Sequence, residues 1–209
     1  LGLEKINNSS SLNSIIYYNK YDREYDEKGI IDKYESETIG LKYDYSKKIY
    51  SNFSFGIGSE YKYDWGYFDN KGSYEASTKG NTDNISYYGN IGYNFFKNSN
   101  ISIFSRVDKH KITGKNDSFK LNFEQSFGIS NLGLTYMNGL RNPTLYELFG
   151  TDNFGYSGNK NLKPEKSNTY EIYSNLVLSN DANFSMRAFK FNIKNNIEYI
   201  NNKYQNDTD

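Results

Sequence analysis

Few residues of this chain have the type and spacing that a catalytic or metal-binding site requires. The 209 residues include no Cys and a single His, which excludes a Cys nucleophile, a disulfide framework and a Cys/His zinc site. The acidic run Asp22, Glu24, Asp26 and Glu27 lacks the glycine and the ligand spacing of a calcium loop. No nucleophile–base pairing, phosphate loop or dinucleotide motif is present. The sequence therefore predicts neither an enzyme nor a resident cofactor or metal.

One cluster of aromatic and acidic residues has the composition of a ligand-binding surface. It lies in the polar segment 62–84 and comprises Tyr63, Asp64, Trp65, Tyr67 and Phe68. Rings can stack on a ligand, and a carboxylate can accept its hydrogen bonds. The same residues could equally pack within a loop or form an aromatic girdle at a membrane interface. We therefore expect either a ligand-contact loop or a packing role here, and we expect His110 to be a solvated strand-end residue.

The composition excludes several broad classes of protein. Only 36% of the residues are apolar and the mean hydropathy is −0.86, so a bundle of membrane-spanning helices is excluded. An aromatic content of 18% argues against disorder, and the balance of 25 basic and 25 acidic residues argues against a dedicated nucleic-acid binder. An all-β protein remains.

Period-two alternation is the main structural signal. Phe119, Leu121 and Phe123 alternate with polar residues, and similar patterns occur in segments 39–45, 53–61 and 85–95. Weaker alternation is present near residues 12–19, 101–107, 132–137, 170–178 and 184–199. The pattern predicts about nine antiparallel strands, many of about 10 residues or longer, which exceeds the usual globular length of roughly 5–6.

The connections between these strands differ in expected length. Short turns are predicted at 45–48, 96–100, 130–131 and 179–182, and longer polar segments at 20–34, 62–84, 108–117 and 138–168. Long loops at one end and tight turns at the other are typical of outer-membrane barrels. A soluble sandwich or propeller with one wet face would show similar alternation, and the strand lengths favour the barrel.

Residues 138–172 form the most specific stretch of the chain. It contains Asn-Gly-Leu-Arg-Asn-Pro-Thr-Leu-Tyr-Glu-Leu-Phe-Gly from Asn138, and Gly-Asn-Lys-Asn-Leu-Lys-Pro-Glu-Lys-Ser from Gly158. Together these segments resemble the late-barrel signature of TonB-dependent outer-membrane receptors. The departures are Leu140 for the usual aromatic residue, Asn142 for Ala, and Lys160 where Pro is frequent. The matching motif residues are Arg141, Pro143, Leu145, Glu147, Leu148, Phe149, Gly158, Asn159, Leu162, Pro164 and Glu165.

The local structure of this motif follows from its residues. A strand should end at Asn142, because the residue before a proline is driven to extended conformations. Thr144 and Glu147 have the spacing of a capping box for one short helix, which Gly150 should end. The apolar side chains of Leu145, Leu148 and Phe149 should be buried, whereas Lys163, Glu165 and Lys166 should be solvated. A role in loop architecture is expected here in preference to ligand contact.

The resemblance implies a fold and a function. It implies that residues 1–209 are part of a larger plugged barrel in the outer membrane of a Gram-negative bacterium, with the plug and terminal strands outside this sequence. The expected partners are outer-membrane lipid, a scarce small-molecule nutrient (a metal chelate such as a ferric siderophore, or cobalamin) and a TonB-type energy-coupling complex. That complex would engage a coupling peptide N-terminal to Leu1.

Two other functions remain open from the sequence. The aromatic segment 61–69 could belong to a soluble or surface-attached β-rich module that binds carbohydrate. A passive outer-membrane porin would show the same alternating strands.

Overall fold

A computed structural model describes residues 1–7, 9–71, 75–152, 154–179 and 182–207, apart from the side chain of Glu27. Ten strands form one antiparallel sheet in chain order, and a separate two-stranded hairpin and a short helix complete the structure. The sheet strands are β1 (Gly2–Asn7), β2 (Ser10–Glu27), β3 (Ile30–Tyr50), β4 (Phe53–Asn70), β5 (Ala76–Phe95), β6 (Ser99–His110), β7 (Gly114–Phe127), β8 (Ser130–Arg141), β9 (Glu165–Ser179) and β10 (Ala182–Lys194). The helix is α1 (Leu145–Phe149), and the hairpin comprises β11 (Ile197–Ile200) and β12 (Lys203–Asn206).

In the part of the chain that the structure describes, no helix is both long enough and apolar enough to cross a membrane.

The all-β antiparallel fold is confirmed, with ten sheet strands where about nine were predicted. The additional strand is β1, whose residues show little alternation but pair with β2 from Gly2↔Ile15 to Asn7↔Ser10. The stretch 184–199, predicted as one strand, is divided between β10 and β11.

The two faces of the sheet differ in chemistry, as the alternation predicts. One face carries apolar side chains in rows that cross the strands, and we call it the apolar face. One such row runs through six neighbouring strands: Phe55, Ile91, Ile103, Leu121, Tyr136 and Tyr170. The opposite, polar face carries charged groups such as Glu60, Arg106 and Asp108. Since successive side chains of a strand point to opposite faces, the register keeps these two sets apart.

The strands extend well beyond the segments that alternate. The predicted loop 20–34 is mostly strand, because β2 and β3 pair as far as Glu27↔Ile30 around the turn Lys28-Gly29, where φ is 55° and 87°. Segments 62–84 and 108–117 likewise consist mainly of paired strand. Charged and amide residues outnumber apolar ones in these extensions, and the remaining apolar side chains are mostly aromatic, such as Tyr63 and Trp65, so the aliphatic alternation stops while the hydrogen-bonded pairing continues.

The connections define two rims of the sheet. The turns at 51–52, 96–98 and 128–129 form one rim, which we call the turn rim, and the connections at 28–29, 111–113 and 142–164 form the other, the loop rim. The turn predicted at 96–100 is confirmed. The one predicted at 45–48 is wrong, since those residues are paired in β3, and that at 130–131 lies two residues earlier. The turn predicted at 179–182 contains residues 180–181, which lie outside the described part.

Three tyrosines on the polar face bridge across a neighbouring strand. Tyr17, Tyr88 and Tyr173 lie over Gly40, Gly58 and Gly133 respectively, where a Cβ would overlap the phenol ring. Each hydroxyl donates to a carboxylate one strand further on: Tyr17 to Glu60 (3.1 Å), Tyr88 to Asp44 (2.6 Å) and Tyr173 to Glu124 (2.6 Å). We call these contacts the tyrosine bridges; each ties three strands together on the polar face.

Candidate functional site

The predicted capping box organises the connection between β8 and β9. The Glu147 N–H donates to Thr144 Oγ1 (3.2 Å), and the Thr144 N–H donates to Glu147 Oε2 (2.7 Å). The Gly150 N–H donates to the Tyr146 carbonyl (2.7 Å), which ends α1 at the predicted residue. β8 ends at Arg141, directly before the Asn142-Pro143 pair, as the restriction before proline requires.

An arginine with two carboxylates closes the base of this connection. Arg141 donates to both carboxylate oxygens of Glu147 (3.1 Å each) and to those of Glu165 (2.5 and 2.8 Å), its partner across the sheet. Glu165 also accepts from the Ile197 N–H (2.8 Å). The prediction that Glu165 is solvated is therefore wrong, and its side chain is only 14% exposed. The hydrogen bonds from Arg141 lower the pKa of Glu165, and they raise that of Arg141 itself.

The rest of the motif builds a small hydrophobic core. Leu148 is fully buried against Leu162 and Ile197, while Leu145 and Phe149 are half-buried at its border with the sheet. Pro164 is buried at the return into β9. We call the folded unit of residues 142–164 and 195–207 the rim lobe.

Two further motif residues fix the path of the loop. Gly158 packs directly on α1, where a Cβ would lie 2.5 Å from the backbone carbonyl of Leu148. The Asn159 N–H donates to the Glu147 carbonyl (2.9 Å), and the Asn159 side chain donates to the Tyr204 carbonyl (2.9 Å). The motif residues are therefore brought together, and their contacts are those of loop architecture.

The β11–β12 hairpin of the lobe was not predicted from the sequence. Its signal is the Asn201-Asn202 pair, in which both residues have positive φ (52° and 58°), between short alternating segments. Two such residues form the turn that tight hairpins prefer. The hairpin brings Tyr199 and Tyr204 against Tyr156, whose hydroxyl donates to the Tyr146 carbonyl (2.6 Å). Burial raises the pKa of the Tyr156 phenol.

An aromatic cavity of about 560 Å³ opens beside the lobe. We call it the rim pocket. Phe68, Tyr34 and Tyr146 meet edge to face at its wall, with ring centroids 5.6–6.2 Å apart. Segments 62–84 and 138–168, both predicted as long connections, lie on this rim, and they touch there because the Thr78 hydroxyl donates to the Phe149 carbonyl (2.5 Å).

The predicted aromatic loop is strand rather than loop, and the register separates its residues. Tyr63, Trp65 and Tyr67 lie on the apolar face of β4, and only Phe68 of the five predicted residues lines the rim pocket. Asp64 points to the polar face, where it accepts from the Thr38 hydroxyl (2.6 Å). Residues that are neighbours in a strand cannot form one surface, because their side chains alternate between faces.

A second, polar cavity of about 580 Å³ lies between the polar face and the lobe. Arg106 lines it, paired with Glu60 (3.2 Å) and Asp108 (3.0 Å). His110 lines it too and is only 6% exposed, so the prediction of a solvated histidine is wrong. Its Nδ1 accepts from the N–H groups of Ile112 (3.3 Å) and Thr113 (3.2 Å), because the β6–β7 turn folds back over the ring.

The sequence matches the TonB-dependent receptor-like β-barrel family over residues 4–209. The chain belongs to this family. Its members are receptors and transporters rather than enzymes, and TonB-dependent receptor barrels reside in the outer membrane of Gram-negative bacteria. The sheet of this chain is therefore a partial barrel wall.

Solved structures of similar fold include several receptors of this kind. The copper transporter OprC superposes with a TM-score of 0.81 at 12% identity, over 98% of this chain and 41% of its own. The ferric enterobactin receptor PfeA of Pseudomonas aeruginosa gives 0.78 at 16% identity, over 93% and 34%. The siderophore receptor PirA of the same organism gives 0.70 at 15% identity, over 98% and 47%. The chain thus spans less than half of each.

A search of the curated proteins found no match to this chain.

Proposed function

We propose that this chain is the barrel portion of an outer-membrane receptor that binds a scarce nutrient, carried as a small-molecule metal chelate, and imports it with TonB-coupled energy. The observation that carries the proposal is the placement of the rim pocket beside the rim lobe, on the loop rim and continuous with the polar face. A ligand bound there would lie at the outer mouth of the barrel interior.

The rim lobe and the polar face have different roles in this proposal. The rim lobe, with its own core and capped helix, holds Tyr146 in place as one wall of the rim pocket. The polar face, cross-linked by the tyrosine bridges, forms a stiff wall below it. Binding at the rim cannot by itself release a ligand on the inner side against a gradient, so external energy must change the affinity.

Similar receptors favour a metal chelate over cobalamin as the ligand class. PirA is a siderophore receptor, PfeA a ferric enterobactin receptor and OprC a copper transporter, and the Serratia marcescens receptor HasR binds a hemophore and haem. Cobalamin also holds a metal, but the names of these receptors refer to siderophores, copper and haem and not to cobalamin.

Uptake by the complete receptor in its own host tests the proposal. Deletion of the gene should abolish growth on one metal chelate under metal limitation, and a protonophore should stop uptake while leaving surface binding intact. The double variant Tyr34→Ala/Phe68→Ala, which removes two rings of the rim pocket, should reduce binding at least tenfold. Lys97→Ala on the turn rim is the matched control and should bind normally.

Three outcomes would contradict the proposal. Uptake that continues without a proton-motive force, or a large constant conductance of the complete protein in planar bilayers, would indicate a porin. Recovery of the complete protein folded in the soluble periplasm would indicate the carbohydrate-binding module.

A further inference from the structure

The rim pocket has more aromatic surface than its structural role explains. Tyr34, Phe68 and Tyr146 support one another, but three further rings at the mouth remain open to solvent. Tyr21, Tyr25 and Phe154 are 58%, 49% and 69% exposed. The six rings that line the cavity are Tyr21, Tyr25, Tyr34, Phe68, Tyr146 and Phe154. Exposed rings around a concavity are the usual sign of a surface that buries them against a ligand.

The charges that line the same cavity are mainly acidic. Asp32 and Asp152 contribute two carboxylates, and Arg23 is the basic residue that accompanies them; Glu35 also lines the cavity, but the register places its side chain on the apolar face. Asp32 is 4% exposed. Burial, and after it the charges of Asp32 and Asp152, raises the pKa of the Tyr34 phenol, whereas Arg23 acts in the opposite direction. Both carboxylates therefore act electrostatically at the wall of the rim pocket.

The acidic character extends over the adjoining hairpin. The chain as a whole is neutral, yet residues 20–37 contain seven acidic and four basic residues. Two of these basic residues are committed to carboxylates, Lys20 to Asp22 (3.0 Å) and Lys33 to Glu24 (2.9 Å). By the register of β2 and β3, however, Asp22, Glu24, Glu35 and Glu37 lie on the apolar face of this hairpin, so they add only a long-range negative field to that of Asp32 and Asp152 at the rim pocket.

The two pocket carboxylates also have structural hydrogen bonds, which do not remove their charge. Asp32 accepts from the Lys71 N–H (3.2 Å), and Asp152 accepts from the N–H groups of Phe154 (2.8 Å) and Tyr156 (2.9 Å). An amide oxygen can accept the same bonds without carrying a charge. Asn substitutions at both positions can therefore remove charge while preserving the local fold.

We propose that the rim pocket selects a metal chelate of net positive charge with apolar or planar surface, the charge type of a cationic hydroxamate complex, over an anionic catecholate complex. This inference rests on the proposed function and specifies its ligand. A cation would gain from the carboxylates and from the negative ring faces, which attract positive charge within about 6 Å of the ring centre. A polyanion would be repelled by the same groups, and Arg23 alone would attract it.

Equilibrium binding to the purified complete receptor in detergent tests this charge preference. The probes are a monocationic ferric trihydroxamate and a trianionic ferric tris-catecholate, titrated at low and at physiological salt. The cationic probe should bind at least tenfold more tightly at low salt, and salt should weaken this preference. Asp32→Asn and Asp152→Asn should each reduce its affinity by about two- to threefold, as expected for a unit charge roughly 8 Å away when the dielectric between the charges is close to that of water.

Two further variants sharpen the test. Arg23→Gln should strengthen binding of the cationic probe. Glu24→Gln is the matched control. Glu24 lies on the same strand as Arg23, but its side chain is on the apolar face, where it pairs with Lys33. Its loss should therefore leave the ratio of the two affinities unchanged.

Equal or tighter binding of the anionic probe, no binding of either, or unchanged affinities in both Asn variants would each overturn the charge preference. These results are independent of transport, because equilibrium binding needs no energy coupling. A receptor that binds the cationic probe as expected but shows no energy-dependent uptake would retain this inference and contradict the proposed function.

Discussion

The rim lobe and the barrel wall of this protein are stabilised in different ways. Among the described residues, the buried hydrophobic side chains are Phe68, Leu148, Tyr156, Leu162 and Ile197, and all of them lie in or against the lobe. The wall has no such interior. Its apolar side chains, such as Ile57 at 58% exposure, lie open on one face, and its charged groups lie on the other.

In this protein, side-chain burial stabilises the rim lobe and strand pairing stabilises the barrel wall, so the two contributions to stability can be measured separately. The lobe behaves as a miniature globular core, in which a lost side chain leaves a cavity. The wall depends on its hydrogen-bonded ladder and on contacts between side chains of neighbouring strands. Substitutions should therefore have different consequences in the two regions.

The largest expected effect is in the lobe core. Leu148→Ala should destabilise the lobe by about 3 kcal/mol, because it opens a cavity next to Leu162 and Ile197. Faster hydrogen exchange of residues 145–162 in the complete receptor would show this. Ile57→Ala on the apolar face is the control and should cost less than about 1 kcal/mol, since detergent or lipid fills the space. Equal losses at both positions would contradict the distinction.

The tyrosine bridges allow a matching test in the wall. Gly58→Ala should cost about 2 kcal/mol, because its methyl group overlaps the Tyr88 ring and breaks the hydrogen bond to Asp44. The unfolding midpoint of the complete barrel in urea measures this. In a Tyr88→Ala background the same substitution should be nearly neutral. Simple additivity of the two substitutions would show that the ring does not occupy the space over Gly58.

The capping box should have a smaller effect, confined to the lobe. Thr144→Ala removes the acceptor for the Glu147 N–H and should cost about 1 kcal/mol, whereas Thr144→Ser keeps the hydroxyl and should cost much less. Hydrogen exchange of α1 measures both. If the Ser variant exchanges as fast as the Ala variant, the hydroxyl is not the stabilising group.

The smallest effect concerns the pH dependence of the β6–β7 connection. Burial lowers the pKa of His110, with Asp83, Asp64 and Asp108 opposing it and Lys62 acting in the same direction. The unfolded chain therefore binds a proton first as the pH falls through about 6.5, so this connection should lose stability below that pH. Protonation of Nδ1 would also displace the Ile112 and Thr113 N–H groups.

Hydrogen exchange of residues 108–116, compared at pH 7.5 and pH 5 after correction for intrinsic rates, measures this effect. His110→Asn can supply an acceptor near the Nδ1 position but does not titrate, so it should lose the pH dependence. A wild-type connection that is equally protected at both pH values would contradict the prediction.

Much of this structure could be predicted from patterns that extend over only a few residues. Alternation predicted the apolar face and most strand positions, since the faces of a strand are set by a period of two. The capping box, the end of β8 before Pro143 and the end of α1 at Gly150 depend on residues within a few positions of one another. These features were therefore predictable from the sequence.

Other features depend on groups that are distant in the chain. The burial of His110 and Glu165, the docking of β11–β12 and the tyrosine bridges all join residues whose proximity follows from strand register. The rim extensions were missed because they contain few aliphatic residues and many charged and amide residues. The position of Phe68 in the rim pocket, with Trp65 on the opposite face, also required the register.

By itself, then, the sequence determined the class of fold, the two faces and the local form of the motif. Only the tertiary structure decided which charges meet, which rings line the rim pocket and which polar groups are buried. The physical reason is that periodicity and capping act over a few residues, whereas the pocket and ion pairs arise where strands far apart in sequence are brought side by side.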